Sequence, residues 1–421
     1  MKRLAALSLS TALATALACD RSSSGTSVTT APPPSATSDA TSGTPLSSPS
    51  TPPNETLSER AARIHKDAIV VDGHNDIPTI MIGTGFDLAT PNGNTHTDLP
   101  RMKTGGITAE FFSIFVDKSY AEHPTSKRGG SARRALDLID VTYQQIERHS
   151  GDLVLATRAD DIRRAKRDGK IAILMGIEGG HAIEDSLFAL REFYRLGVRY
   201  MTLTHTNTND WADSAGFFGA PPVKHHGLTA FGEAVCHEMQ RIGMLIDISH
   251  VSDETFFAVM QIAKAPVIAS HSSSRKVAEH RRNLSDDMLR ALAKNGGVAM
   301  VNFWSAFVDP NYIAAQARKA PLPETPLSAL IDHIDHMIEV AGADHVGLGS
   351  DFDGVNALPK EITGIDGLPK ITYALLERGH SEEVVRKVLG GNFLRVLDAA
   401  EAYARSTNTT LSGDGDVRKI E

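Results

Sequence analysis

Along most of the chain, short unbroken runs of Val, Ile, Leu and Ala alternate with longer stretches whose apolar positions recur every three to four residues. Eight runs stand out, at 68–71, 107–116, 171–177, 198–203, 244–248, 267–269, 298–303 and 346–348. Unbroken apolarity marks strands covered on both faces, as in parallel sheets. The stretches at 132–148, 187–196, 231–242, 254–262, 285–293 and 327–340 carry the helical period instead. Strand and helix in repeated alternation predict an α/β fold, a (β/α)8 TIM-type barrel with inserted loops. An open doubly wound sheet is the alternative. No G-x-G-x-x-G or G-x-x-x-x-G-K-[ST] run opens a helix after a strand, so the usual nucleotide-binding reason for that sheet is missing.

The pattern breaks at both ends. Lys2 and Arg3 precede an apolar run from Leu4 to Ala18 that is too short to span a bilayer as a helix, so residues 1–18 read as a signal peptide. Ala16-Leu17-Ala18 fits small-x-small cleavage. Cys19 directly afterwards fits lipidation, and a bacterial cell-envelope lipoprotein is the preferred reading, with a secreted or periplasmic soluble protein as the alternative. Both readings export the chain. Residues 19–56, dominated by Ser, Thr and Pro, cannot bury enough apolar surface to offset their chain entropy and read as a disordered tether. The folded domain is expected at 57–405 and a polar tail at 406–421. That tail lacks the hydrophobic stretch of a glycolipid anchor.

Charge and cysteine content narrow the chemistry. The chain has 43 Lys+Arg against 51 Asp+Glu, a formal charge of −8, and no basic stripe, so nucleic acid is not an expected partner. Its two cysteines, Cys19 and Cys236, cannot supply a disulfide framework or a thiolate metal site. A metal would have to be held by histidine and carboxylate.

A barrel collects its active-site residues where strands end on the carboxyl-terminal face. His74 and Asp76 follow the first apolar run, Glu178 ends the third, His205 the fourth, His250 the fifth, His271 the sixth and Asp351 the eighth. Each alone would pass for a capping or solvated residue; together they form a metal-competent set. Positions 74 and 76 share a face of an extended segment, so imidazole and carboxylate converge. Glu178 sits in a glycine-flanked turn where an unpaired carboxylate would be costly, and its two oxygens suit a bridge between cations about 3.5–4 Å apart. A buried ion pair with an arginine is the competing reading of Glu178. His250 and His271, from neighbouring strand ends, would furnish the second cation with two nitrogens. Nitrogen and oxygen donors without thiolate favour two Zn2+ ions, with manganese, cobalt or iron also compatible.

The ordered motifs Val71-Asp72-Gly73-His74-Asn75-Asp76, Thr97-Asp98-Leu99-Pro100-Arg101, Gly176-Ile177-Glu178-Gly179-Gly180-His181, Leu203-Thr204-His205-Thr206-Asn207, Ser270-His271-Ser272-Ser273, Arg281-Arg282-Asn283 and Gly349-Ser350-Asp351-Phe352-Asp353-Gly354 carry a family resemblance. From about 62 to 396 the chain closely resembles the membrane (renal) dipeptidase family, zinc peptidases of the amidohydrolase superfamily. The resemblance implies dipeptide substrates, a first zinc on His74, Asp76 and Glu178, and a second on Glu178, His250 and His271. It also implies that Arg282 receives the substrate carboxylate, that His205 polarises the scissile carbonyl and steadies its oxyanion, and that Asp351 carries the proton. Water activated by the metal pair would attack the peptide carbonyl.

Departures from the family are visible. Phe307 falls where mammalian members use a tyrosine hydroxyl near the substrate, which points to altered specificity. Cys236 has no partner outside the leader, so a covalent dimer is not expected, and a non-covalent homodimer is implied by the resemblance alone. Asp353 is read as holding its loop, and His96, His181, His225 and His226 as structural or solvent-facing. Two rival functions stay open: a related hydrolase acting on another amide, a lactone or an ester, and an exported metal- or peptide-binding protein without catalysis. The presence of Asp351 and His205 beside all five donors weighs against the second.

Overall fold

In the computed structural model, residues 55–407 are described, apart from 126, 218 and 220. The signal-peptide and lipidation readings, nearly all of the tether and the tail from 408 onward lie outside the described residues.

Among the described residues there are nine parallel strands: β1 (Val71–Asn75), β2 (Ala109–Phe115), β3 (Leu153–Leu155), β4 (Ile171–Glu178), β5 (Val198–Thr202), β6 (Leu245–Asp247), β7 (Ile268–Ala269), β8 (Val298–Val301) and β9 (Val346–Leu348). Pairing runs from β1 through β2, β4, β5, β6, β7, β8 and β9 and returns to β1, so eight of them close a barrel. Asp72 shows the closure, lying opposite Glu110 on one side and Leu348 on the other. The eight-stranded barrel expected from the apolar runs is therefore the architecture of the chain. The ninth strand, β3, pairs with the start of β4 from Leu153↔Ile171 to Leu155↔Ile173, on the edge that β5 takes over from Met175. Its three residues are too short a run to stand out between two helices.

The first strand also differs from expectation, running over 71–75 rather than 68–71. Asp72, His74 and Asn75 look like loop residues, yet all are buried. The barrel mouth accommodates them by hydrogen bonding: Asp72 Oδ1 accepts from the Ser350 amide at 2.7 Å, and the Asn75 side chain donates to Thr97 Oγ1 at 2.8 Å.

Hydroxyl residues start several outer helices. Ser186, Thr229, Ser252 and Ser285 cap the helices Leu187–Arg195, Ala230–Ile242, Asp253–Ile262 and Asp286–Asn295 by accepting from a backbone N–H in the first turn. Each such cap contributes about 0.5–2 kcal/mol. The helices bury one apolar stripe against the barrel, as Leu187, Leu190 and Phe193 do in the first of them. The C-terminal helix Asn392–Thr407 closes the barrel floor, because its Phe393, Val396 and Leu397 join Phe111, Leu174 and Tyr200 in one buried cluster. Phe393 meets Phe111 edge to face at 5.2 Å, Phe111 lies tilted against Tyr200 at 4.9 Å, and Tyr200 in turn faces His74 at 6.5 Å. An aromatic column thus links the packed floor to the polar mouth.

Candidate active site

The polar side chains gather where the strands end. His74 lies within β1, Asp76 just after it, and Glu178 is the last residue of β4. His205 and His250 each follow three residues after β5 and β6, His271 two after β7, and Asp351 three after β9. Two of them sit in the left-handed backbone region, His250 at φ 68° and Asp351 at φ 65°. Non-glycine residues held there cost about 1–3 kcal/mol each, and such strain concentrates at functional sites. The loops are pinned in return. The His250 carbonyl accepts from Ala215 N at 2.8 Å and Thr204 Oγ1 at 3.0 Å, and the Asp351 amide donates to the His74 carbonyl at 3.0 Å.

Glu178 is the centre of the arrangement, and its two oxygens face different donors. Oε1 lies 3.0 Å from His250 Nε2, 3.3 Å from His271 Nε2 and 3.9 Å from His205 Nε2. Oε2 lies 3.6 Å from His74 Nε2, which is itself 3.4 Å from Asp76 Oδ2. His250 and His271 bring their Nε2 atoms within 2.8 Å of each other. Among the described residues three donor groups of metal-binding size result: His74 with Glu178 and His271, Glu178 with His205 and His250, and His74 with Asp76 and Asp351. His271 therefore stands between the two sets expected from the resemblance, while His205 joins Glu178 and His250, and Asp351 joins His74 and Asp76.

Neighbouring groups aim the imidazoles. The Tyr200 hydroxyl donates to the Gly73 carbonyl at 3.1 Å, which leaves its oxygen to accept from His74 Nδ1–H at 2.8 Å. In the neutral ring this leaves the His74 Nε2 lone pair directed at Asp76 and Glu178. Gly176 makes room for this, because a Cβ there would meet the Tyr200 ring at 2.0 Å. Ser270 Oγ likewise donates to Asp247 Oδ2 at 2.6 Å and accepts from His271 Nδ1–H at 2.7 Å. Asp247 is held by Thr202 Oγ1 and by the backbone amides of Ser249 and Ser270. Such orienting partners are what metal-binding histidines require. Asp76 and Asp351 are packed around Gly354, where a Cβ would lie 2.2 Å from one carboxylate and 2.7 Å from the other.

The electrostatics suit cations. Burial keeps the imidazoles of His205, His250 and His271 below their ordinary range, so all three are neutral and can offer lone pairs. Burial raises the Asp351 carboxyl to about 8, with the negative charges of Asp76 and Glu178 adding to it. His74 is drawn the other way: burial opposes its charge, but Tyr200, Glu178 and Asp76 outweigh that and push it well upward. Protons are attracted here to a surplus of carboxylate that divalent ions would neutralise. Three buried atoms, His74 Nε2, Asp76 Oδ1 and His250 Nδ1, have no hydrogen-bond partner. A donor set of imidazoles and buried carboxylates around one acid with two facing oxygens fits transition-metal ions.

Arg282 stands beside this set. It is buried, its Nε has no partner, and Nη2 makes only a 3.5 Å contact to the His271 carbonyl. Among the described residues no carboxylate lies within ion-pair distance of it. Burial lowers it to about 10, so it stays charged at neutral pH. A buried guanidinium without a counter-charge is a receptor for an anion. A cavity of about 780 Å3 at this site is lined by Asp76, Glu178, His205 and Asp351 together with Phe217, Trp304 and Phe307.

Asp353, His96, His181 and His225 have local tasks. Asp353 Oδ1 accepts from the His96 amide at 2.7 Å while its own amide donates to His96 Nδ1 at 2.9 Å, which ties two loops together. His181 Nε2 bonds the Val116 carbonyl at 2.8 Å, and His225 Nε2 bonds that of Asn209 at 3.0 Å. Cys236 is a buried free thiol pushed up to about 12 by burial. Sequence reasoning missed Tyr200, Asp247, Asn302 and the aromatic wall. Asp247 and Tyr200 lie on strands whose alternation aims them inward, a signal that was present but faint.

Comparison with known proteins gives consistent results. The family model described as membrane dipeptidase (peptidase family M19) matches residues 58–411. An uncharacterized dipeptidase of Schizosaccharomyces pombe is 39% identical over 370 residues, 85% of this chain and 86% of that protein. The crystal structure of a metallopeptidase from Rhodobacter sphaeroides, liganded with a phosphinate mimic of the dipeptide L-Ala-D-Ala, is similar at 28% identity. It has a TM-score of 0.70, with 79% of this chain and 100% of that one covered. The probable dipeptidase PvdM from Pseudomonas aeruginosa shares the fold at 24% identity and a TM-score of 0.75, over 83% of this chain and 99% of its own.

Proposed function

The chain belongs to the membrane dipeptidase family, and from that premise we propose that it hydrolyses dipeptides with a pair of divalent cations, zinc foremost, held by His74, Asp76, Glu178, His250 and His271. Family membership makes it a metal-dependent dipeptidase. The number of ions and the residue roles are argued from geometry, and one observation carries them: the two oxygens of Glu178 face separate sets of donors, 3.0 and 3.6 Å away at the nearest.

When bound, the ions would supply Lewis acidity and an acidified water. The chain supplies the rest. Glu178 spans both donor sets, and Tyr200 and Ser270 hold the rings of His74 and His271 in register. His205, neutral and edged against Phe115 at 4.7 Å, lines the cavity and can donate to the carbonyl oxygen as charge develops on it. Asp351, raised to about 8, is suited to taking a proton and delivering it to the departing amine. Asn302 Nδ2 donates to Asp351 Oδ2 at 2.8 Å and leaves the other oxygen to face the reaction. Arg282 would hold the terminal carboxylate, which supports a substrate with a free carboxyl end. The dipeptide mimic on the Rhodobacter sphaeroides protein supports a two-residue substrate as well. Export rests on the leader-like residues 1–18 and the cysteine after them.

The test is hydrolysis of a dipeptide panel, with lactones, esters and tripeptides as competitors, alongside metal quantification before and after chelation. Two ions per chain with dipeptide hydrolysis lost on chelation is the expected result. Lactone or ester turnover exceeding that of every dipeptide would overturn the substrate assignment.

A further inference from the structure

We infer that this chain selects dipeptides whose carboxyl-terminal residue carries a large apolar or aromatic side chain, packed against a wall of Phe217, Trp304 and Phe307. The inference rests on the reading above, in which Asp351 serves the departing amine and Arg282 the terminal carboxylate. Those two groups flank the α-carbon of one and the same residue. Its side chain must therefore lie against whatever stands beside both Asp351 and Arg282.

What stands there is aromatic, and it is tied to both residues. The single amide of Asn302 donates to Asp351 Oδ2 at 2.8 Å and accepts from the Trp304 backbone N–H at 2.6 Å, so the acid and the indole-bearing segment are set by one group. The Phe307 carbonyl accepts from Asn283 Nδ2 at 2.8 Å, and its ring centroid lies 5.5 Å from the guanidinium carbon of Arg282. Trp304 and Phe307 meet edge to face at 4.7 Å. Phe217, carried on the long connection after β5, stacks on Trp304 at 4.9 Å and 16° and reaches Phe307 at 6.0 Å. The polar edge of the indole is already used, since Nε1 donates to Asn356 Oδ1 at 3.1 Å. Phe307 has no hydroxyl to reward a polar side chain. All three rings line the cavity, and their aromatic surface favours apolar contact.

Size agrees. A cavity of about 780 Å3 lies in the range that encloses drug-sized ligands and leaves a glycine-only dipeptide with much unfilled space. Removing apolar surface from water at such a wall, or leaving it bare, changes kcat/KM by roughly tenfold to a hundredfold.

The experiment measures kcat/KM on the metal-loaded protein for Ala-Gly, Ala-Asn, Ala-Leu, Ala-Phe and the reversed Leu-Ala, and repeats it on Phe217→Ala and Phe217→Leu. Ala-Leu and Ala-Phe should exceed Ala-Gly and Ala-Asn by about tenfold or more, and also exceed Leu-Ala. In Phe217→Ala the Ala-Leu to Ala-Gly ratio should fall toward one, with partial recovery in Phe217→Leu. A merely structural role for Phe217 would lower both substrates together and leave that ratio where it was, which would overturn its assignment. Equal rates for Ala-Gly and Ala-Leu, or a preference that follows the amino-terminal residue, would overturn the inference while leaving the dipeptidase reading intact. Hydrolysis of none of the five would overturn the dipeptidase reading itself. The wild-type panel decides the matter even where a variant does not fold.

Discussion

Replacing Tyr200 with Phe removes one oxygen and nothing else, and it tests how the metal site is held. The ring keeps its place over Gly176 and against Phe111. What disappears is a fully buried hydroxyl that accepts from His74 Nδ1–H at 2.8 Å and donates to the Gly73 carbonyl at 3.1 Å. Both partners are left without that hydrogen bond, at a cost of about 1–3 kcal/mol per buried group, and a domain of this size should lose a few degrees in Tm. The larger consequence is freedom of the His74 ring to rotate or change tautomer, which removes the lone pair from the centre. Orienting partners of this kind are worth roughly tenfold to a hundredfold in metal affinity. The assay is competition with a chelator of known affinity, with the metal counted in each fraction. Tyr143→Phe serves as the control. It also loses a hydroxyl bond, 2.9 Å to the Leu196 carbonyl, but at the entry to β5, the end away from the site. Tyr200→Phe should shift metal affinity and Tyr143→Phe should shift Tm alone. Equal metal affinity for Tyr200→Phe and the parent would refute the idea that this hydroxyl positions His74.

Three further outcomes are expected. Asp351→Asn should keep its bound metal, because Asn302 can still donate to the amide oxygen, yet lose about 100- to 10,000-fold in kcat at saturating dipeptide; undiminished turnover would remove Asp351 from proton transfer. Arg282→Ala should cost roughly tenfold to a hundredfold in kcat/KM for free dipeptides and far less for their carboxyl amides, and an equal loss for both would count against carboxylate recognition. Stability should fall on acidification, because His96 and His333 use Nδ1 to accept the amides of Asp353 and Ser274, both at 2.9 Å, and burial keeps each at about 4 against an ordinary 6.5. The unfolded chain takes up those protons first, so the contribution is complete above pH 6.5 and is lost as pH falls toward 4, about 3 kcal/mol per histidine. Thermal unfolding of the metal-free protein between pH 7.5 and 4.5, compared with His333→Asn, separates this loss from the opposing gain at Asp72 and Asp353, which burial raises to about 6; an equal pH dependence in both proteins would contradict the His333 role.

Most of the barrel could be read in advance because its strands are covered on both faces, and β4 accordingly appears as an unbroken apolar run. The reading slipped where that rule is suspended. β1 carries Asp72, His74 and Asn75 inside the barrel mouth, and β3 is only three residues long. The metal-competent histidines and acids were legible for a related reason: an ionisable residue directly after a buried strand has few structural duties there. The groups that aim them were not. Tyr200 reaches His74 across 126 positions, and Ser350 reaches Asp72 across 278.

The order of residues thus determined which strands and helices form, and which side chains arrive at the strand ends, since both depend on local burial and periodicity. Only the closed barrel decided how Glu178 divides its oxygens, which nitrogen of His74 and His271 faces the centre, and that Phe217, Trp304 and Phe307 share one wall. Those properties are distances and lone-pair directions between segments far apart in the chain, and they come into being only when packing brings the segments together.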